Sequence, residues 1–279
     1  MTRSFAAVGV VLALLASAPA LAQSADPTHN LRWDPALDLT LTLGGATAWI
    51  VSESLKGSLA PSDCHWCDVD GVDARVREAL IWPDTARAGV LSNVAGFALM
   101  PVVAIGSDAL AAVHEGALHN VPEDALLIAE ATVVAADVNQ LTKLLVGRER
   151  PFVHALARDQ KALTPQPADN NLSFFSGHTT EAFALAAASG TIATMRGYRW
   201  APLAWSVGGA VAATTAYLRI AADEHWLTDV VVGALVGAGI GFAVPYFFHS
   251  VVDDTPPASA SAAVRAKALP MGAAMIIAW

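Results

Sequence analysis

The chain has 279 residues, of which 54% belong to the apolar AVILMFWYC set and 15% are charged, with a formal net charge of −9. Average soluble domains are about 45–50% apolar and about 25% charged, so the composition points to a membrane protein. The acidic balance leaves no basic patch to neutralise a phosphodiester backbone, which excludes nucleic acid as an expected partner.

Arg3, an apolar run from Phe5 to Leu15 and then Ala20-Leu21-Ala22 make the three parts of a secretory leader. Residues 1–22 are expected to be that leader, cleaved after Ala22. Residues 23–87 read as an N-terminal extramembrane region. Within it, Leu39 to Ser52 is apolar but bounded by Asp38 and Glu53, short for a crossing of about 20 residues, and is expected to be a buried or interfacial helix that does not span. The only two cysteines stand in Cys64-His-Trp-Cys67-Asp. In an exported chain a local disulfide that staples this loop is the simplest reading.

Residues 88–248 read as a helical bundle. Ala88 to Ser107 is free of charge and long enough to cross a bilayer. Glu123 to Val146 follows, opened by Pro122 and interrupted by Glu130 and Asp137, acids that must face protein or water rather than lipid. His114 and His119, five residues apart, are not placed together on a helix and read as loop residues. Residues 148–172 are too rich in proline and asparagine for a helix. Thr179 to Met195 is helical and alanine-rich, Arg196 to Trp200 is a turn with two positive charges, and Ala201 to Leu218 and Val230 to Phe248 are uncharged runs rich in Gly and Ala. Such composition suits close helix packing in a bilayer. Six tryptophans, among them Trp33, Trp49, Trp66 and Trp226, recur near segment ends, as an interfacial belt requires. Residues 249–279 form a C-terminal tail, Pro/Ala/Ser-rich and then apolar, and no period-two repeat suggests a barrel.

The chemistry gathers at the helix ends. Lys143 and Arg150-Pro151 fall where the second crossing finishes, Ser176-Gly177-His178 where the next helix begins, Arg219 where another ends, and His225 with Asp229 where the last one starts. Antiparallel packing would collect all four points at one end. Lys143, Arg150 and Arg219 are cations able to hold phosphoryl oxygens, Ser176 can donate its hydroxyl, and the Gly177 amide lies free at a helix N-terminus. Asp229, four residues after His225, is expected to accept from its imidazole and fix the tautomer. His225 is then placed to attack phosphorus and His178 to protonate the leaving oxygen, with no metal or cofactor required. Arg148 and His154 border this pocket, and the sequence does not decide whether either reaches substrate.

Lys143 with six residues before Arg150-Pro151, Ser176-Gly177-His178, and Arg219 with five residues before His225 and three more before Asp229 resemble the three-part signature of the type 2 phosphatidic acid phosphatase (PAP2) superfamily. That superfamily includes bacterial membrane lipid phosphatases, soluble acid phosphatases and vanadium haloperoxidases. The resemblance covers residues 88–248. It implies an all-α bundle of the PAP2/haloperoxidase type and a metal-independent phosphatase acting on a lipid phosphate or isoprenoid pyrophosphate through a phosphohistidine. By the same pattern His225 is the nucleophile, Asp229 its partner and His178 the general acid, while Lys143, Arg150, Ser176, Gly177 and Arg219 bind phosphate. Phe175 replaces the usual proline before Ser-Gly-His, and Leu218 the usual serine before the arginine. The alternatives are a soluble periplasmic acid phosphatase of the same superfamily, a vanadium haloperoxidase, and a non-catalytic phosphate- or lipid-binding membrane protein.

With the leader cleaved and residues 39–52 not crossing, two spans return the chain to the outside before Arg150. The site of an inner-membrane protein then faces the periplasm, with the Arg196–Arg199 turn in the cytoplasm as the positive-inside rule prefers.

Overall fold

In a computed structural model that describes residues 28–252, the expected leader and the tail beyond Val252 lie outside the described residues. Side-chain caps set the helix starts. Asp34 Oδ1 accepts from the amides of Ala36 at 3.0 Å and Leu37 at 3.1 Å, and Pro35 opens α1, which runs Pro35–Ser54. A short α2 (Lys56–Leu59) follows. Asp70 caps α3 (Gly71–Leu80) and Asp84 caps α4 (Thr85–Asn93). From there the chain continues through a π-helical turn (Val94–Leu99) into α5 (Met100–His114), so that Thr85–His114 is one 30-residue rod. His114 thus ends a helix, its ring stacked on Trp200 with centroids 4.9 Å apart, and is not the loop residue expected. Helix α6 (Val121–Val146) ends at Gly147, whose φ of 60° is open to glycine and lets its amide reach Lys143 O at 3.2 Å. One turn, α7 (Pro151–His154), interrupts the irregular segment before α8 (Gly177–Met195), α9 (Ala201–Ala221) and α10 (Leu227–Phe248).

Helix α8 is the hub, packed against α5, α6, α9 and α10. Its alanines explain the position, because small side chains let neighbours approach on every side, and Ala182, Ala184, Ala188 and Ala193 are fully buried. The closest approach is to α10, where Gly233, Gly237 and Gly241 repeat every four residues along one face. A Cβ on Gly237 would lie 2.2 Å from Thr180 O, so the two backbones touch. The outer helices instead expose apolar side chains, including Leu41, Val102, Leu145 and Leu235. Thr85–His114, Leu118–Val146 and Leu227–Phe248 are long and apolar enough to cross a membrane. The chain is an all-α membrane bundle.

The structure changes the expected topology in two places. Residues 39–52 belong to a 20-residue helix that travels the height of the bundle beside α6. Its start is tied to the far end, where β1 (Asn30–Leu31) pairs antiparallel with β2 (Val251–Val252) just after α10. Its other end meets α6 near Lys143, with Gln140 Nε2 donating to Glu53 Oε2 at 3.1 Å. Asn30 and the cleft therefore stand at opposite ends, so the helix joins the two ends of the bundle although it is not among the three long and apolar enough to cross a membrane. The charge argument fails. Arg196 is buried on Asp124 and Glu123, both at 2.6 Å, and Arg199 pairs with Glu115 at 2.8 Å, so the turn presents no positive excess.

Candidate functional site

Lys143 from the last turn of α6, Arg150 before α7, Gly177 and His178 from the start of α8, Arg219 from the end of α9 and His225 before α10 all line one cleft of about 770 Å³. The convergence expected from the helix ends is present. Ser176 and Asp229 do not reach this surface. Both are fully buried below it, and Ser176 Oγ accepts from Thr179 Oγ1 at 3.0 Å.

His225 is held differently from the expectation. Its Nδ1 donates to the Ser173 carbonyl at 2.8 Å, which leaves Nε2 without a proton. Asp229 Oδ2 lies 3.8 Å from that Nδ1, too far for a hydrogen bond. The carboxylate is committed elsewhere: it caps α10 by accepting from Trp226 N at 2.9 Å, and it accepts from Ser173 Oγ and Arg148 Nη1, each at 2.5 Å. Asp229 thus grips the residue whose carbonyl orients His225. Burial, and then the positive charges of Arg150, Arg219 and Lys143, hold the imidazole well below its ordinary pKa.

Arg148 is almost fully buried under the cleft, its Nη2 paired with Asp73 Oδ2 at 2.7 Å and its guanidinium 4.0 Å over the Trp66 ring. Trp66 belongs to the loop closed by the Cys64–Cys67 disulfide, and the amides of His65 and Trp66 donate to Gly147 O. The stapled loop and α3 therefore form a lid on Arg148, which in turn positions Asp229. His154 points away from the cleft and pairs with Glu149 at 3.0 Å.

Around the cations the packing is close. A Cβ on Gly177 would sit 3.1 Å from Lys143 Nζ, so the bare glycine is what lets the amine lie over the start of α8. Arg219 Nη1 donates to Ser92 Oγ at 2.9 Å, and its Nη2 is 3.4 Å from Glu224 Oε2, the same oxygen bonded by Arg150 Nη1. An anionic oxygen between two guanidiniums is the geometry that phosphate binding needs. His178 Nε2 donates to Asn93 Oδ1 at 2.7 Å, and its ring lies 4.3 Å from Phe97. Asn93 immediately precedes the π-helical turn and Phe97 lies within it, a feature often found at functional sites.

Sequence reasoning missed Ser92, Asn93, Ser173 and Glu224 and left Arg148 open. Asn93 carries no signal, being one amide in an apolar run. Glu224 was adjacent to His225, and a carboxylate beside two arginines could have been read as their partner.

Residues 124–253 match the family model described as the PAP2 superfamily. Among solved structures the chain is similar to a transmembrane PAP2-type phosphatidylglycerolphosphate phosphatase from Bacillus subtilis, at 15% identity and a TM-score of 0.48, over 75% of this chain and 96% of that one. No curated protein matches. The matched segment contains Lys143, Arg150, His178, Arg219 and His225, the helix-end residues on which the resemblance to the PAP2 superfamily rests.

Proposed function

We propose that the protein is a phosphatase that hydrolyses a lipid phosphate or isoprenoid pyrophosphate through a phosphohistidine on His225. The observation that carries this reading is the His225 imidazole, unprotonated at Nε2 and set in a cleft lined by Lys143, Arg150 and Arg219. The Nε2 lone pair forms the bond to phosphorus as the P–O bond to the leaving group breaks. His178, carrying a second proton on Nδ1 once the anionic substrate offsets the nearby Arg219, Lys143 and Arg150, gives that proton to the leaving oxygen while Nε2–H stays on Asn93. Water then attacks the phosphohistidine, His178 takes the water's proton, and His225 leaves with the lone pair restored. The three cations spread the phosphoryl charge, the role a metal ion plays in other phosphatases. Asp229, Ser173 and Asn93 are positioning residues. Ser176, expected to bind phosphate, would instead support the start of α8 from below.

A lipid is favoured by the walls of the cleft. Trp49 of α1, Val90 of α4 and Phe97 line it beside the cations. The outward faces of the same helices expose Leu43, Ile50 and Val94, so an acyl or isoprenoid chain can leave between them into the bilayer. The test is phosphate release from a panel of lipid phosphates and pyrophosphates in excess chelator, below the melting temperature, by wild type and His225→Ala. Turnover by the wild type alone is expected. Equal turnover by His225→Ala, or loss in chelator, would sink the mechanism.

The cleft is proposed to face the periplasm of a bacterial inner membrane, because the Cys64–Cys67 disulfide lies at that end and needs an oxidising space. A second reading, a periplasmic protein bound at the membrane surface, is favoured if the expected leader is cleaved, because helix α1 carries the chain from one end to the other. Single cysteines at exposed Asp159, near the cleft, and exposed His119, at the far end, separate these. An impermeant maleimide on spheroplasts should label only the first in a spanning protein and both in a periplasmic one. Labelling only at residue 119 contradicts both.

A further inference from the structure

Far from the cleft, three ligating side chains from distant parts of the chain meet. Asp38 lies in the first turn of α1, Glu130 in α6, and His249 directly after α10. They are 4%, 6% and 3% exposed. One ligand atom from each lies within 4.8 Å of the other two, and His249 Nε2 is 3.5 Å from Glu130 Oε2. Both of those atoms are buried without a hydrogen-bond partner. The groups are nevertheless held in place from behind. His249 Nδ1 donates to Arg32 O at 3.1 Å, which turns the lone pair of Nε2 inward, and Asp38 Oδ2 accepts from Asp34 N at 2.8 Å.

Charge makes the cluster incomplete. Among the described residues neither carboxylate forms an ion pair with lysine or arginine. Two buried carboxylates and one imidazole therefore carry a negative charge even when the imidazole is protonated, at a place where an unbalanced charge is costly. A divalent cation bound to a neutral imidazole and two carboxylates leaves no net charge. Ligands about 2.0–2.2 Å from a tetrahedral zinc stand about 3.4 Å apart, close to the 3.5 Å between Nε2 and Oε2.

We propose that Asp38, Glu130 and His249 bind one divalent first-row transition ion, Zn²⁺ in the first instance, with Arg32 and Asp34 orienting two of the ligands through their backbones. Glu130 is 13 residues, or about 20 Å, along α6 from Lys143. The ion is therefore structural: it fastens the start of α1 and the end of α10 to α6, beside the β1–β2 pairing.

The test uses the full chain in detergent, stripped with chelator, desalted and titrated with Zn²⁺ by calorimetry, with bound metal counted by mass spectrometry. One ion per chain and a melting temperature several degrees higher are expected. Glu130→Gln and His249→Gln, checked for folding by helical circular dichroism, should each weaken binding by at least about tenfold. If both variants fail to fold, Co²⁺ in the wild type should give a d–d absorption spectrum that Zn²⁺ removes. Absence of stoichiometric metal in the wild type, or unchanged affinity in both folded variants, overturns the site.

Discussion

Burial of the ring, and then the positive charges of Arg150, Arg219 and Lys143 around it, disfavour protonation of His225 and hold its pKa below the ordinary 6.5. A nucleophile must keep its lone pair, so activity is retained while the ring is neutral and lost as pH drops through this lowered pKa. The acid limb of kcat/KM on a soluble phosphomonoester is expected below pH 6.5. Removing one positive neighbour in Arg150→Gln should move that limb to higher pH, besides raising KM. A limb unmoved by the substitution would show that His225 does not set it. At this scale the sequence exposed Lys143, Arg150, His178, Arg219 and His225, because Lys, Arg and His stand out in apolar surroundings, but not Lys56 or the carboxylates of Asp169, Glu181 and Glu224 that line the same cleft. It misassigned the bond to His225 for a physical reason: four-residue spacing puts Asp229 on the right face, but cannot reveal that Arg148 and Ser173 compete for its oxygens.

Between elements, the contact of α8 with α10 sets the distance from His178 to His225, and glycines permit it. Gly237→Ala would press a methyl group onto Thr180 O, whereas a Cβ on Gly239 of the same helix meets nothing within 4 Å. Overpacking of this kind costs about 1–3 kcal/mol. A melting temperature lowered by several degrees is therefore expected for Gly237→Ala and an unchanged one for Gly239→Ala. Equal values for the two would remove the seam from the account. Glycine content alone signalled close packing in the sequence, but not which glycines carry it, since α10 is apolar on every side and its helical periodicity is weak. The π-helical turn was illegible for a related reason: Ala88 to Ser107 reads as one uninterrupted apolar run, and only Asn93 and its bond to His178 mark the change of winding.

On the scale of the whole molecule, the helix order, the end at which the chemistry gathers and the membrane character follow from apolar lengths and from where the charges stop. The course of α1 does not, because Asp38 and Glu53 make it look too short. In the fold Asp38 turns inward to Glu130 and His249, and Glu53 meets Gln140, so neither charge prevents the helix from running the height of the bundle. The bundle then serves as a rigid frame that holds a neutral histidine beside Lys143, Arg150 and Arg219 in the cleft at one end. The covalent intermediate on that histidine is the most direct test. Wild type and His225→Ala are mixed with substrate labelled in the transferable phosphoryl group, quenched in denaturant within the first turnover and digested for peptide mapping. An acid-labile, base-stable label on the peptide carrying His225, absent from the variant, is the expected result. Label on another residue, or hydrolysis by His225→Ala at the wild-type rate, would contradict it.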